Sequence, residues 1–227
     1  MLGATSLCSN SGYMKIKENI VAEMIQSTVV NNYRFFYYLA NEMLSKAQND
    51  AHTINQFRYS MGTVIFSYTT IENYILHSIY EPRGKIAKYF DKMSDSLKEK
   101  LDKLPTMERL ELLFHFDKKS EFVFDKGKEP LQSFELLRQL RNFIIHYKPF
   151  EEVVFTTIQD YQSEETKLEK RIKGKFSFNE SESAFVYKCF SKDCAKWSFT
   201  IIDAFLDWYC AELELSRPKL ENHWRIE

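Results

Sequence analysis

Apolar residues return every three to five positions along most of this chain, with polar residues between them. From Lys15 to about Asn49 the series is Ile16, Ile20, Met24, Val29, Tyr33, Phe36, Leu39 and Met43. That is the period of one helix face, so a long amphipathic helix is predicted there. The polar run from Gln48 to Thr53 breaks it. A second long helix follows from about Ile54 to Tyr80, where Phe57, Met61, Val64, Tyr68, Ile71, Ile75 and Ile79 recur at near-heptad spacing. Glu81-Pro82-Arg83-Gly84 stops it. Two long helices joined by so short a turn are expected to lie antiparallel.

The stretch from Lys85 to Lys100 is charged and predicts a shorter helix. Thr106 suits an N-cap, ahead of a stripe made by Leu110, Leu113 and Phe114. Residues Asp117 to Pro130 read as a loop. A helix is then predicted from about Pro130 to Tyr147. Pro130 fits a first turn, and Pro149 pushes Lys148 out of the α region, so the helix ends at or just after His146. Residues 151–188 are β-branched at first, then polar and basic, then weakly alternating. They predict an irregular insertion with short extended pieces, in which 166–176 reads as a short basic helix. The last long helix runs from about Ser191 to Leu215, with Trp197, Ile201, Ala204, Phe205, Trp208 and Leu213 as its buried face. The expected architecture is an all-α, up-and-down helical bundle: one domain over 15–215, an irregular insertion at about 150–190 before the last long helix, a flexible leader at 1–14 and a tail at 216–227.

Composition agrees with this pattern. Hydrophobic residues make up 44% of the 227 and aromatics 15%, against six glycines and five prolines. Such a chain buries a core and forms helices more readily than a β-sandwich or a disordered coil. The formal net charge of −1 argues against tight, non-specific duplex binding driven by counterion release. No apolar run approaches the roughly 18 residues of a membrane-spanning helix. Cys8, Cys189, Cys194 and Cys210 form no CxxC pair and the five histidines are scattered. A structural zinc site and a disulfide framework are therefore not expected, and a reducing cytoplasm is the default. Trp197, Trp208 and Tyr209 stand at core spacing, as packing groups rather than base-stacking platforms.

One stretch departs from the packing pattern. In Leu137–Pro149, LRQLRNFIIHYKP, the polar side chains Arg141, Asn142 and His146 sit among Leu140, Phe143, Ile144 and Ile145. Four residues along a helix turn it by about 40°, so Asn142 and His146 share a face. Five residues turn it by about 140°, which puts Arg141 on the flank. Arg138 lies four before Asn142, on the histidine face. A guanidinium, a carboxamide and an imidazole at the end of a helix, where the dipole favours cations, can hold a phosphodiester. The histidine can move a proton and the arginine can stabilise charge on phosphorus. The same residues also have a plain structural use: Arg141 can pair with a carboxylate such as Glu72, and His146 can cap carbonyls.

LRQLRNFIIHYKP resembles the signature of the HEPN superfamily. That mark is an arginine, a polar residue, often Asn, and a histidine, with four to six residues between the arginine and the histidine, near a helix end. Arg141, Asn142 and His146 match it, with four residues between the arginine and the histidine. The upstream FSYTTIENYILHSIY is similar to the second long helix of such proteins, where Glu72 and Asn73 would be the acidic and amide groups. The order of helices agrees as well.

The resemblance implies a metal-independent endoribonuclease without cofactor, dimeric through the motif helix, of the kind found in phage defence and toxin–antitoxin systems. The ribose 2′-oxygen would attack phosphorus and leave a 2′,3′-cyclic phosphate. His146 would be general acid/base, Arg141 the phosphate clamp and Asn142 the orienting group, with Glu72, Asn73, Arg138 and Tyr147 behind them. RNA would be the substrate, and an antitoxin or a larger defence complex a partner. In members silenced by nucleotidyl transfer, the acceptor tyrosine stands two residues after the histidine. That place is Lys148 here, and Tyr147 stands one residue after, so this regulation is not implied. The basic residues Lys148, Lys167, Lys170, Arg171, Lys173 and Lys175 can touch an RNA backbone. Alternatively they form a solvated face balanced by Glu164, Glu165 and Glu169. The competing function is a non-catalytic helical module that binds a nucleotide, an RNA or a protein partner.

Overall fold

The computed structural model describes residues 32–81, 86–118, 124–146, 166–181 and 185–220. The predicted leader and first half of the opening helix, residues 82–84 of the predicted stop, Tyr147, Lys148 and the first part of the insertion lie outside them. The described residues are all-α: α1 (Asn32–Asn49), α2 (Thr53–Tyr80), α3 (Ala87–Phe90), α4 (Asp95–Asp102), α5 (Thr106–Lys118), α6 (Leu131–Ile145), α7 (166–172), α8 (Phe185–Cys189) and α9 (Lys192–Glu212).

The chain reverses between α1 and α2 at Asp50. Its carboxylate accepts the His52 N–H at 2.8 Å and the Asn55 amide at 3.1 Å. A side-chain acceptor of this kind offers the backbone an alternative to continuing a helix. The two helices then pair in opposite directions. Tyr33 meets Tyr74, Phe36 stacks near Phe66, and Lys46 lies over Tyr59. Ala40 and Ala47 are fully buried on α1, where small side chains let the helices approach. A Cβ on Gly62 would come within 3.1 Å of Met43 Cγ, so glycine suits this crossing.

α2 is enclosed by α1, α6 and α9. It buries Ser60, Thr63, Ser67, Thr70 and Ser78 among Val64, Ile71, Ile75 and Ile79. Buried hydroxyls need partners. Thr63 and Thr70 donate to the carbonyls one turn back, and Ser60 donates to Ser191 O at 2.9 Å. α9 runs in the same direction as α2, for Ser60 meets Ser191 while Ser78 and Tyr74 meet Tyr209 and Cys210. α6 runs against α9: Phe134 packs on Phe205, and Phe143 on Phe185 just ahead of α9. The core centres on Phe114, Phe134, Phe205 and Tyr209.

Ile201, Phe205 and Leu213 are buried as expected on the last helix, but Ala204 is exposed. The stripe runs instead through Ser198, Ile202, Leu206 and Tyr209, because α9 packs on α1, α2 and α6 at once. Trp208 stacks on Phe114 at 4.9 Å and Trp197 lies 5.2 Å from Phe176, so both indoles pack. α9 closes with Leu215 N–H donating to Cys210 O and Glu214 N–H to Ala211 O. This is a Schellman arrangement in which Glu214 takes φ 52°.

Thr106 does not act as an N-cap. It is buried as the first residue of α5, and its hydroxyl donates to Glu72. Arg109 is buried as well, with Nη2 donating to Asp102 O at 2.8 Å and Leu104 O at 3.0 Å, and Nε to Leu101 O at 3.3 Å. Asp102 O and Leu104 O lie at and just past the end of α4, while Leu101 O also accepts from the Lys103 and Leu104 N–H groups. His77 packs 5.1 Å from Tyr33, with Nδ1 buried and unpartnered among the described residues. Burial, with help from nearby Arg34, lowers its pKa from the ordinary value despite Glu81.

Candidate functional site

α6 carries the motif residues because Leu131, Phe134, Leu137 and Leu140 bury one stripe and leave the opposite faces free. The helix ends at Ile145. His146 is the C-cap, its N–H on Asn142 O at 2.9 Å and its side chain exposed. Facing it is α7. This helix is pinned by buried Leu168 and Ile172. It is tied further by Lys175, whose Nζ donates to Glu129 at 2.5 Å and Gln132 at 3.1 Å. The turn after α7 passes through Gly174 at φ 87°, a conformation glycine adopts without strain.

Between the two helices lies a cleft of about 410 Å³. Gln139, Asn142, Phe143 and His146 line it from α6, and Lys167, Leu168 and Arg171 from α7. Asn142 and His146 therefore meet two of the basic residues of the insertion. Lys170 and Lys173 are exposed and do not line the cleft, and Lys175 is engaged with Glu129.

Arg141 points elsewhere. Its guanidinium lies over the Tyr68 ring, 5.4 Å from the centroid. Nη1 donates to Asn142 Oδ1 at 3.0 Å, and Nε is buried without a partner among the described residues. Asn142 Oδ1 is thereby engaged, and the amide N–H groups of this cleft-lining residue have no partner among the described residues. Arg141 does not pair with Glu72, for Tyr68 stands between them. The Tyr68 hydroxyl donates to Thr106 at 2.9 Å and lies 3.4 Å from Glu72, and Thr106 donates to Glu72 at 2.6 Å. Burial first, and then the Glu72 charge, push the Tyr68 phenol up to about 12, against the pull of Thr106, Arg141 and Arg138. Tyr68 therefore stays a neutral donor and a platform.

Two other expected residues bond within their own helices. Asn73 donates to Thr69 O at 2.9 Å on its own helix. Arg138 makes a two-pronged contact with Glu135 at 2.8 and 2.7 Å. Burial raises the Glu135 pKa, but the hydrogen bonds from Arg138 and Gln139 outweigh it and leave the carboxyl lowered. Gln139, absent from the sequence reading, joins the two walls: it donates to Glu135 at 2.9 Å and accepts from Arg171 at 2.8 Å. Its spacing is the signal, since it precedes Asn142 by three residues and His146 by seven on one face. Among the described residues, no group of three or more His, Cys, Asp or Glu is placed to hold a metal ion. No described helix is long and apolar enough to cross a membrane. In comparisons with protein-family models, curated proteins and solved structures, no family model, no curated protein and no solved structure matches the chain.

Proposed function

We propose that the chain is a HEPN-type, metal-independent endoribonuclease that works as a homodimer through α6, in phage defence or a toxin–antitoxin pair. The observation that carries this reading is the meeting of exposed His146 and Asn142 with Lys167 and Arg171 in one cleft. Two cations and an amide donor suit a phosphodiester, and the imidazole beside them suits proton transfer. In the reaction the 2′-hydroxyl loses its proton as its oxygen attacks phosphorus. The bond to the 5′-oxygen breaks, and that oxygen takes up a proton. His146 serves these transfers. Lys167, Arg171 and the Asn142 amide take the phosphate charge, and Arg141 fixes the Asn142 carboxamide from its seat on Tyr68.

The second reading, a non-catalytic module that binds a nucleotide or RNA, is favoured by one observation: Arg141 leans on Tyr68 rather than into the cleft. End analysis of RNA incubated with the purified chain separates the two. Cleavage should leave 2′,3′-cyclic phosphates, persist in EDTA and spare an all-deoxy substrate. His146→Ala should lower the rate by about 10²- to 10⁴-fold with the helical signal unchanged. Cleavage that survives His146→Ala, or that dies with chelator, overturns the nuclease reading. Binding without cutting establishes the module.

A further inference from the structure

A second cleft, of about 280 Å³, opens where the first turn of α2 meets the 177–179 loop and the entry to α9. It shares no lining residue with the first. Its size, just under the roughly 300–1,000 Å³ of ligand pockets, suits one planar ring system. Phe57, Phe178, Tyr187 and Phe190 line it. Tyr187 is 54% exposed, yet its ring is backed by Phe57 at 5.0 Å. An aromatic face that is both supported and open to solvent is a stacking platform.

The polar groups of this cleft are unequally used. Asn179 Oδ1 accepts from the Ser181 hydroxyl at 2.7 Å and its N–H at 3.4 Å, which leaves the amide N–H groups to donate. Lys192 and Asp193, in the first turn of α9, both line the cleft, and neither side chain has an ion-pair or side-chain hydrogen-bond partner among the described residues. A stacking face, an amide donor, a carboxylate and a cation match a base that offers adjacent N–H donors beside a carbonyl and carries a phosphate. Guanine has that edge. Adenine turns a bare ring nitrogen toward the carboxylate.

We propose that this cleft binds a guanine base stacked on Tyr187, with Asp193 accepting from its N1–H and 2-amino group, Asn179 donating to O6, and Lys192 meeting the phosphate. The base is that of a free nucleotide or of an unpaired guanosine in single-stranded RNA, and the site stands whether or not the first cleft cuts RNA.

Calorimetric titration of the full chain with GMP and AMP, and with short single strands that differ only in one guanosine or adenosine, tests this. Guanine should win by about tenfold or more, the discrimination one two-pronged contact provides. A preference already present in GMP assigns a free nucleotide; one seen only in the oligonucleotides assigns RNA. Asp193→Asn should erase the preference. Tyr187→Ala should weaken the guanine ligand by about tenfold or more and Tyr187→Phe should restore it, and the preference of GMP over AMP should persist in His146→Ala, whose cleft shares no lining residue with this one. Equal affinity for guanine and adenine in both formats overturns the proposal. So does a preference untouched by Asp193→Asn, or binding lost in His146→Ala rather than in Tyr187→Ala. Circular dichroism of each variant confirms that the fold is kept.

Discussion

Arg109 is 6% exposed and spends its guanidinium on backbone carbonyls at the end of α4. Replacing it with methionine keeps much of the stem and removes every donor. A hydrogen bond to a charged donor contributes about 1.5–3 kcal/mol. The three contacts here are unequal. The 2.8 Å bond goes to Asp102, an exposed residue whose carbonyl can turn to water. The 3.3 Å bond to Leu101 is weak, and the Leu101 carbonyl already accepts from the Lys103 and Leu104 N–H groups, so its loss costs little. The 3.0 Å bond to Leu104 keeps most of its worth. Burying the guanidinium also costs free energy that methionine does not incur. The net expected loss is about 2–4 kcal/mol, with Arg109→Lys losing about half of that, since an ammonium cannot reach three carbonyls. Urea unfolding followed by far-UV circular dichroism reads it: with a slope of about 2 kcal/mol per molar, the midpoint should fall by about 1–2 M. Glu108→Met, at the exposed neighbour, is the control. An Arg109→Met midpoint equal to wild type, with the slope unchanged, would refute the reasoning and assign those carbonyls to water.

Two further predictions concern stability. Glu214→Gly should stabilise the chain by about 0.5–1 kcal/mol, because φ 52° strains any residue with a Cβ. Thermal melts should show a Tm higher by about 1–4 °C, and a lower Tm contradicts the Schellman assignment. His77, whose pKa is lowered on folding, should make stability depend on pH. The unfolded chain binds the proton more readily, so this contribution is complete above the ordinary value of 6.5 and is lost as pH falls through the lowered folded value. Stability should drop as pH falls below about 6.5 and drop less in His77→Phe. Parallel pH profiles for the two chains would dismiss the effect.

The long helices were legible because their patterns are local. The apolar series of α2 and the polar break at Asp50 state both helices and the turn between them. Ala204 shows the limit, since a helix packed on three others has no single stripe to read. At the site, Asn142 and His146 share a face by spacing alone, and the flanking position of Arg141 follows from the same rule. What Arg141 rests on does not, because Tyr68 lies 73 positions earlier and only the crossing of α2 and α6 brings it there. Which cations of the insertion line the cleft is likewise a tertiary matter. Burial of Leu168 and Ile172 sets α7 so that Lys167 and Arg171 line the cleft while Lys170 and Lys173 do not, although all four are exposed.

The enclosure of α2 has a consequence for how the chain is made. Ser60, Tyr74 and Ser78 find partners 131 to 136 positions later, at Ser191, Cys210 and Tyr209. On a ribosome, α1 and α2 emerge as a hairpin long before α9 exists to cover them. The hairpin must wait with its apolar flank open until the chain past residue 213 has been released. Nascent-chain arrest should therefore find that only products extending well past residue 213 resist protease, and that shorter ones lean on chaperones.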